Sequence, residues 1–240
     1  FRKMNYAKSL TTGDKIFIIA ETCSNIIPHL SRLSDVVNVV ANTGADALKV
    51  QIFKAEHFPW SEQESKRRIE FPRDVFPELV QMCHEHGIAC GASVFDNEAV
   101  DLVADCGDFI KLATREWGNS ALVDWCMDRW DKPIIRSYDA TQHPYINPAD
   151  HCVGEGELLM ACIPQYPAIN FKLPTSSLLG MGWSSHTPHW SDCLMAVARG
   201  VNVIEKHIAF SNNDSERGWS LDPQQFRLMV EDIRWAESVR

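Results

Sequence analysis

The chain has 240 residues, 45 % of them hydrophobic and 23 % charged, with a formal net charge of −9. It is long enough to bury the core of one α/β barrel or of two small domains, and its acidity without any basic run excludes a nucleic-acid groove, which needs clustered Lys and Arg. No apolar stretch approaches the roughly eighteen residues of a membrane span and no charged-then-apolar leader opens the chain, so a soluble, cytoplasmic protein without a membrane partner is expected.

Taken in order, apolar runs and helical patterns alternate. Ile16 to Ala20 reads as a strand ending in Glu21, and Leu30 to Thr43 has helical spacing closed by Gly44. Ala45 to Phe53 is a strand with Lys49 and Gln51 on one face, since strand side chains alternate. A charged insertion runs from Lys54 to Arg68. Pro72 opens a helix to about His86, Gly87 breaks it, and Ile88 to Ser93 is the third strand. Asn97 to Cys106 is a short helix, Phe109 to Ala113 the fourth strand, and Asn119 caps a helix to Trp130. Pro133 to Ser137 is the fifth strand. Tyr138 to Gly156 is irregular, with a weak helix after Pro148. Glu157 to Cys162 is the sixth strand, and Ile169 to Leu179 a helix interrupted near Pro174. Gly182 to Thr187 and Val203 to Ile208 form the last two strands, joined by a helix from Asp192 to Arg199 that stops at Gly200. Pro223 to Val239 closes the chain. Eight strands with about eight helices make an α/β protein, a single (β/α)8 TIM barrel over residues 1–240.

The eight cysteines are dispersed, without a C-x-x-C pair, and Cys83, Cys90, Cys126 and Cys193 sit in apolar contexts, as reduced core thiols do. Polar residues instead gather at strand ends: Glu21, Lys49, Gln51, Ser93, Lys111, Thr114, Ser137, Tyr166, Ser184, His186, Glu205, Lys206 and His207. A barrel places all of these at one mouth, where ligands bind. Barrel strands have no exposed edge, so Lys49 and Lys111 must point into that mouth or be buried unpaired, which is costly. Two converging lysines suit a phosphate or carboxylate. Two histidines on adjacent strand ends, His186 and His207, suit an open divalent-metal site, with water and substrate filling the other positions. The remaining histidines, His29, His57, His84, His86, His143 and His151, lack partner spacing and read as surface or loop residues.

Ile18-Ile19-Ala20-Glu21, Gly44 to Gln51, Ser93 to Asp96, Ile110 to Thr114, Lys132 to Ile135, Cys162 to Pro167, Ser184 to Thr187 and Ile204 to His207 occur in an order that resembles the sialic acid synthase family. That family includes the N-acetylneuraminate, legionaminate and pseudaminate synthases, and the likeness runs from about Ile16 to Arg240. The resemblance implies condensation of phosphoenolpyruvate with the open-chain aldehyde of an N-acylated amino sugar, giving a nonulosonic acid and phosphate. It implies a divalent metal, Mn2+ or Mg2+, on His186 and His207. Lys49, Lys111, Thr114 and Ser184 would hold phosphoenolpyruvate, and Glu21 would handle the proton of the adding water. Gln51, Ser93, Glu116 and Tyr166 would line the pockets, while Glu205 would tune the metal site. A homodimer is compatible with the resemblance.

The departures lie mostly on the sugar side. An Asn-His-Asn-Gly run is replaced by Ser24-Asn25-Ile26-Ile27-Pro28, and Ser185 stands for an aspartate. Arg136-Ser137-Tyr138 stands where relatives end the fifth strand Ser-Thr-Gly, which would place Arg136 as a phosphate contact. Glu216 is the nearest acid to a family aspartate that contacts the sugar. A small C-terminal antifreeze-like domain has no counterpart. Two other readings are a catalytically silent barrel that binds or regulates, and a metal-dependent aldolase or lyase with another acceptor. The aldolase would want a third histidine, for which His189 is a poor candidate.

Overall fold

The structure is a computed structural model, and it describes residues 15–131, 134–146, 157–174 and 178–239. Eight strands, β1 (Phe17–Glu21), β2 (Ala47–Ile52), β3 (Ala89–Val94), β4 (Phe109–Leu112), β5 (Ile134–Asp139), β6 (Glu157–Cys162), β7 (Gly182–Ser185) and β8 (Val203–His207), follow one another around a closed barrel. Every pairing is parallel, and β8 returns to β1 with Phe17 opposite Val203 and Glu21 opposite His207. This is the (β/α)8 architecture expected from the alternation. The helices outside it are α1 (Leu33–Asn42), α2 (Trp60–Arg67), α3 (Phe76–Glu85), α4 (Asn97–Cys106), α5 (Ser120–Arg129), α6 (Ser191–Ala198) and α7 (Pro223–Ser238).

Local chemistry sets several helix ends. The Asp96 carboxylate accepts from Ala99 N, the Asn119 side chain from Leu122 N, and Asp222 with Gln225 forms a reciprocal capping box ahead of Pro223. Gly44 ends α1 at φ +81°, where a Cβ would be strained and would also meet Val230 at 3.2 Å. Two expected helices change. The first is preceded by a 3-10 segment, Cys23–Arg32, containing Pro28, so regular α-helix begins only at Leu33. Residues 169–174, expected to begin a helix, have none. Phe171 instead stacks on Trp183, 6.2 Å between centroids, between Pro167 and Pro174. The weak helix expected after Pro148 lies outside the described residues. The charged insertion carries α2, which buries none of its residues.

Strand alternation divides the barrel interior into two levels. At the bottom, Phe17, Ile19, Ala47, Ala89, Phe109, Ile135, Leu158, Met160 and Val203 pack as a dry plug. Phe109 fills the centre because Gly91 opposite has no Cβ, which would lie 2.6 Å from the ring. The next inward positions are polar: Glu21, Lys49, Ser93, Lys111, Ser137, Ser184 and Glu205, each at most 5 % exposed. The plug makes the interior a cup rather than a pore. Every described cysteine is free, and among the described residues no helix is long and apolar enough to cross a membrane.

Candidate active site

The cup opens into a cavity of about 720 Å³ lined by residues from all eight strands and their following loops. Glu21, Lys49, Gln51, Ser93, Lys111, Thr114, Ser137, Tyr166, Ser184, His186, His207 and Glu216 all line it, together with Glu205. Strand parity brings Glu21, Lys49, Gln51, Ser93, Lys111, Ser137, Ser184, His186, Glu205 and His207 to one mouth, while Tyr166 and Glu216 reach it from loops.

At its floor lies a buried charge network. Glu205 on β8 is the hub: it pairs with Lys111 across the barrel, stands 3.5 Å from Lys49, and accepts a 2.9 Å hydrogen bond from Ser184 Oγ. Lys49 also meets Glu21 and donates to Ser93 Oγ at 2.6 Å. Burial would raise the Glu205 carboxyl, but Lys111 and Lys49 outweigh it and hold the group far below the usual carboxylate range. Burial, opposed by Glu205 and reinforced by Lys111, brings the Lys49 ammonium down to about 7. The Ser137 hydroxyl is buried without a hydrogen-bond partner among the described residues. Two lysine amines paired with two carboxylates, and one unpartnered hydroxyl, make up this floor.

The two histidines sit beside it, ring centroids 5.4 Å apart. His186 Nδ1 is 2.8 Å from the Ile163 carbonyl, which can only accept, so that nitrogen carries the proton. His207 Nδ1 is likewise 2.8 Å from Glu216 Oε2. On both rings Nε2 is the nitrogen left on the cavity side of these contacts. Burial and neighbouring His207 lower His186 to about 3, which keeps its ring neutral. Two imidazoles whose Nδ1 atoms are engaged could offer their other ring nitrogens to a first-row metal. Among the described residues no group of three or more His, Cys, Asp or Glu is placed to hold an ion.

Three expectations change. Arg136 points out of the barrel: its parity is that of Ile134 and Tyr138, and its guanidinium donates to Glu157 at 2.8 Å and covers the Trp117 ring. The inward residues of β5 are Ser137 and Asp139, so the strand ends Ser137-Tyr138-Asp139 and the departure from Ser-Thr-Gly falls after the serine. Glu116 is turned away from the cavity and accepts from Asn119 Nδ2 at 2.8 Å. Glu216 lines the cavity, but its carboxylate is committed to His207; burial would raise it, and the hydrogen bonds from His207, Cys23 and Ser24 keep it low. Its place is set by Asn25, whose Oδ1 accepts from Glu216 N while its Nδ2 donates to the Ile208 carbonyl and Ser220 Oγ.

Other residues were not singled out by spacing. His29 is buried against Asp214, 3.2 Å apart, and His143 lines the cavity, so neither is a plain surface residue. Asp139 was legible from alternation, two positions beyond Ser137. Cys23, at φ +41°, opens the 3-10 segment and Trp219 stands on the loop after β8, where strand parity does not apply.

Comparison with known proteins follows the same lines. Residues 36–240 match the NeuB family. The chain is 26 % identical to the N,N'-diacetyllegionaminic acid synthase of Legionella pneumophila, over 99 % of this chain and 77 % of that protein. It is 28 % identical to the synthase of the same name from Campylobacter jejuni, over 92 % and 76 % respectively. The crystal structure of N-acetylneuraminic acid (sialic acid) synthetase from Leptospira borgpetersenii, in complex with citrate, superposes with a TM-score of 0.83 at 21 % identity, covering 95 % of this chain and 85 % of that one. At that identity the superposition speaks for the barrel.

Proposed function

The chain belongs to the NeuB family, and from that premise we propose that it is a phosphoenolpyruvate-dependent synthase. Its substrates are phosphoenolpyruvate and the open-chain aldehyde of an N-acylated amino sugar, and its products are a nonulosonic acid and phosphate. The observation that carries this reading is the floor of the cup, where Lys49 and Lys111 flank one buried carboxylate beside two adjacent imidazoles.

Lys49, Lys111, Ser93, Ser137, Thr114 and Ser184 hold the phosphate and carboxylate of phosphoenolpyruvate, with Gln51 beside them. The enol carbon forms a bond to the aldehyde carbon, whose oxygen takes up a proton. Water then adds to the cationic carbon left behind, and Glu21 accepts the proton of that water. The adduct's carbon–oxygen bond to phosphate then breaks as its new hydroxyl gives up its proton to the departing phosphate, leaving the keto group of the nonulosonic acid. Tyr166 flanks the sugar. His186 and His207 would hold a divalent ion, Mn2+ or Mg2+, which would supply the Lewis acidity that polarises the aldehyde. Glu216 acts through His207, orienting its ring.

The test is phosphate release from phosphoenolpyruvate across a panel of N-acetylated amino sugars, with and without Mn2+. Release that requires one of these sugars is the expected outcome, and no release with any of them would retire the reading. The cation assignment has its own check. Lys111→Ala is expected to weaken phosphoenolpyruvate binding by about 10- to 100-fold, since a charge-assisted contact is worth about 1.5–3 kcal/mol. Calorimetric titration measures it, and an unchanged affinity removes Lys111 from the anion site.

A further inference from the structure

The mouth has two chemically distinct halves. The lysines rise from β2 and β4, and the imidazoles stand at the ends of β7 and β8. On the imidazole side stand two aromatic rings that the charge network does not use. Tyr166 lies over His186 with centroids 4.3 Å apart, and its own ring is half exposed. Trp219, on the loop after β8, meets Tyr166 edge-on at 5.5 Å and 65°, and His207 at 6.4 Å and 72°. Both rings line the cavity.

Trp219 Nε1 is a buried donor with no hydrogen-bond partner among the described residues. Native proteins rarely leave such a group orphaned, and an indole can only donate, so what is missing is an acceptor atom. The loop is not loose enough to account for it. Its base is pinched by Ala209 N to Leu221 O and Leu221 N to His207 O, at 2.9 and 3.0 Å. Its neighbour Ser220 is buried and receives Asn25 Nδ2, and Arg217 donates to the Ser220 carbonyl at 2.8 Å.

Resting on the synthase reading above, we propose that Trp219 is a specificity-determining residue for the sugar. Its indole N–H donates to an acceptor oxygen of the bound sugar, a hydroxyl or the N-acyl carbonyl. The corner formed by Trp219 and Tyr166 stacks on the sugar's C–H face. The chemistry matches a carbohydrate, which presents both an apolar face and oxygens at its edge. It does not match phosphoenolpyruvate, whose two anionic groups belong over the lysines.

The experiment is steady-state kinetics of Trp219→Phe with N-acetylmannosamine and the other N-acetylated amino sugars of the panel, each substrate varied in turn. Phenylalanine keeps the ring and removes the donor, on a half-buried loop residue, so a melting curve like that of the wild type checks the fold. A neutral hydrogen bond lost to the sugar should raise the sugar KM by about 3- to 10-fold, with the phosphoenolpyruvate KM within twofold of wild type. A sugar KM that does not move, or a matching rise for phosphoenolpyruvate, overturns the inference while leaving the synthase reading standing. A wild-type chain that turns over none of the panel overturns both.

Discussion

His207→Ala is expected to lower turnover by about 10²- to 10³-fold and to remove tight Mn2+ binding, while the protein still melts cooperatively within a few degrees of the wild type. The activity figure corresponds to the several kcal/mol of charge stabilisation that a Lewis acid supplies to a carbonyl. The donor set explains why the loss should be so complete. With only two imidazoles available among the described residues, deleting one leaves a single protein donor, whereas a site with three or four could lose one and persist. The fold should survive because His207 lies above the apolar plug, at the last residue of β8. Glu216 loses one partner but keeps the Cys23 and Ser24 side chains. Titration of Mn2+ without substrates separates ligation from turnover. Unaltered Mn2+ affinity in this variant would remove His207 from the metal site.

Glu205→Gln is expected to cost about 3–5 kcal/mol of stability, the range for removing one partner of a buried ion pair. Glutamine preserves shape and can still accept from Ser184, so the loss reports charge. Lys111 would keep an ammonium 5 % exposed with its carboxylate gone, while Lys49 would retain Glu21. Urea denaturation measures it, with an unchanged slope showing that the extent of unfolding is the same. The pH dependence has a definite sign. Glu205 titrates far lower folded than its unfolded value of about 4.3, so its contribution is complete above that value and is lost as the pH falls toward the folded one. Glutamine does not titrate there. The gap between wild type and variant should therefore be widest near neutrality and narrow below about pH 4. A loss under about 1 kcal/mol at neutral pH would mean that the lysines do not depend on this carboxylate.

How much of this was legible in the sequence follows the periodicity of each segment. The barrel and its polar mouth could be read because a strand fixes side-chain direction by parity, so Lys49, Lys111, His186 and His207 declare their face from position alone. Arg136 shows the limit of the same rule. It was placed by comparison with relatives, although its own strand puts it on the face opposite Ser137, against Glu157. Glu116 lies in a 3-10 turn, where a strand-end argument no longer tells which way a side chain points. The stretch from Ile169 was expected to begin a helix, yet over 169–174 Phe171 is drawn onto Trp183 and Pro167 and Pro174 bracket it. Glu216, Trp219 and His29 depend on a loop whose shape comes from contacts across more than 180 residues of sequence, including His29 with Asp214 and Ser24 with Ser215. No local pattern encodes such a meeting.

The seam between β1 and β8 bears on how the molecule is made. Phe17 is registered with Val203, and the chain just before it is held by Arg234, which donates to the Ile16 carbonyl and pairs with Asp46. On a ribosome adding about 5–20 residues per second, β1 emerges and then waits on the order of ten seconds or more for its second neighbour. Throughout that interval its five buried residues form one side of an open sheet, the arrangement most prone to pairing with a neighbouring nascent chain. Crowded polysomes translating this message therefore depend on shielding of β1 until β8 is out, and slowed elongation over the second half of the message should lower the yield of soluble protein.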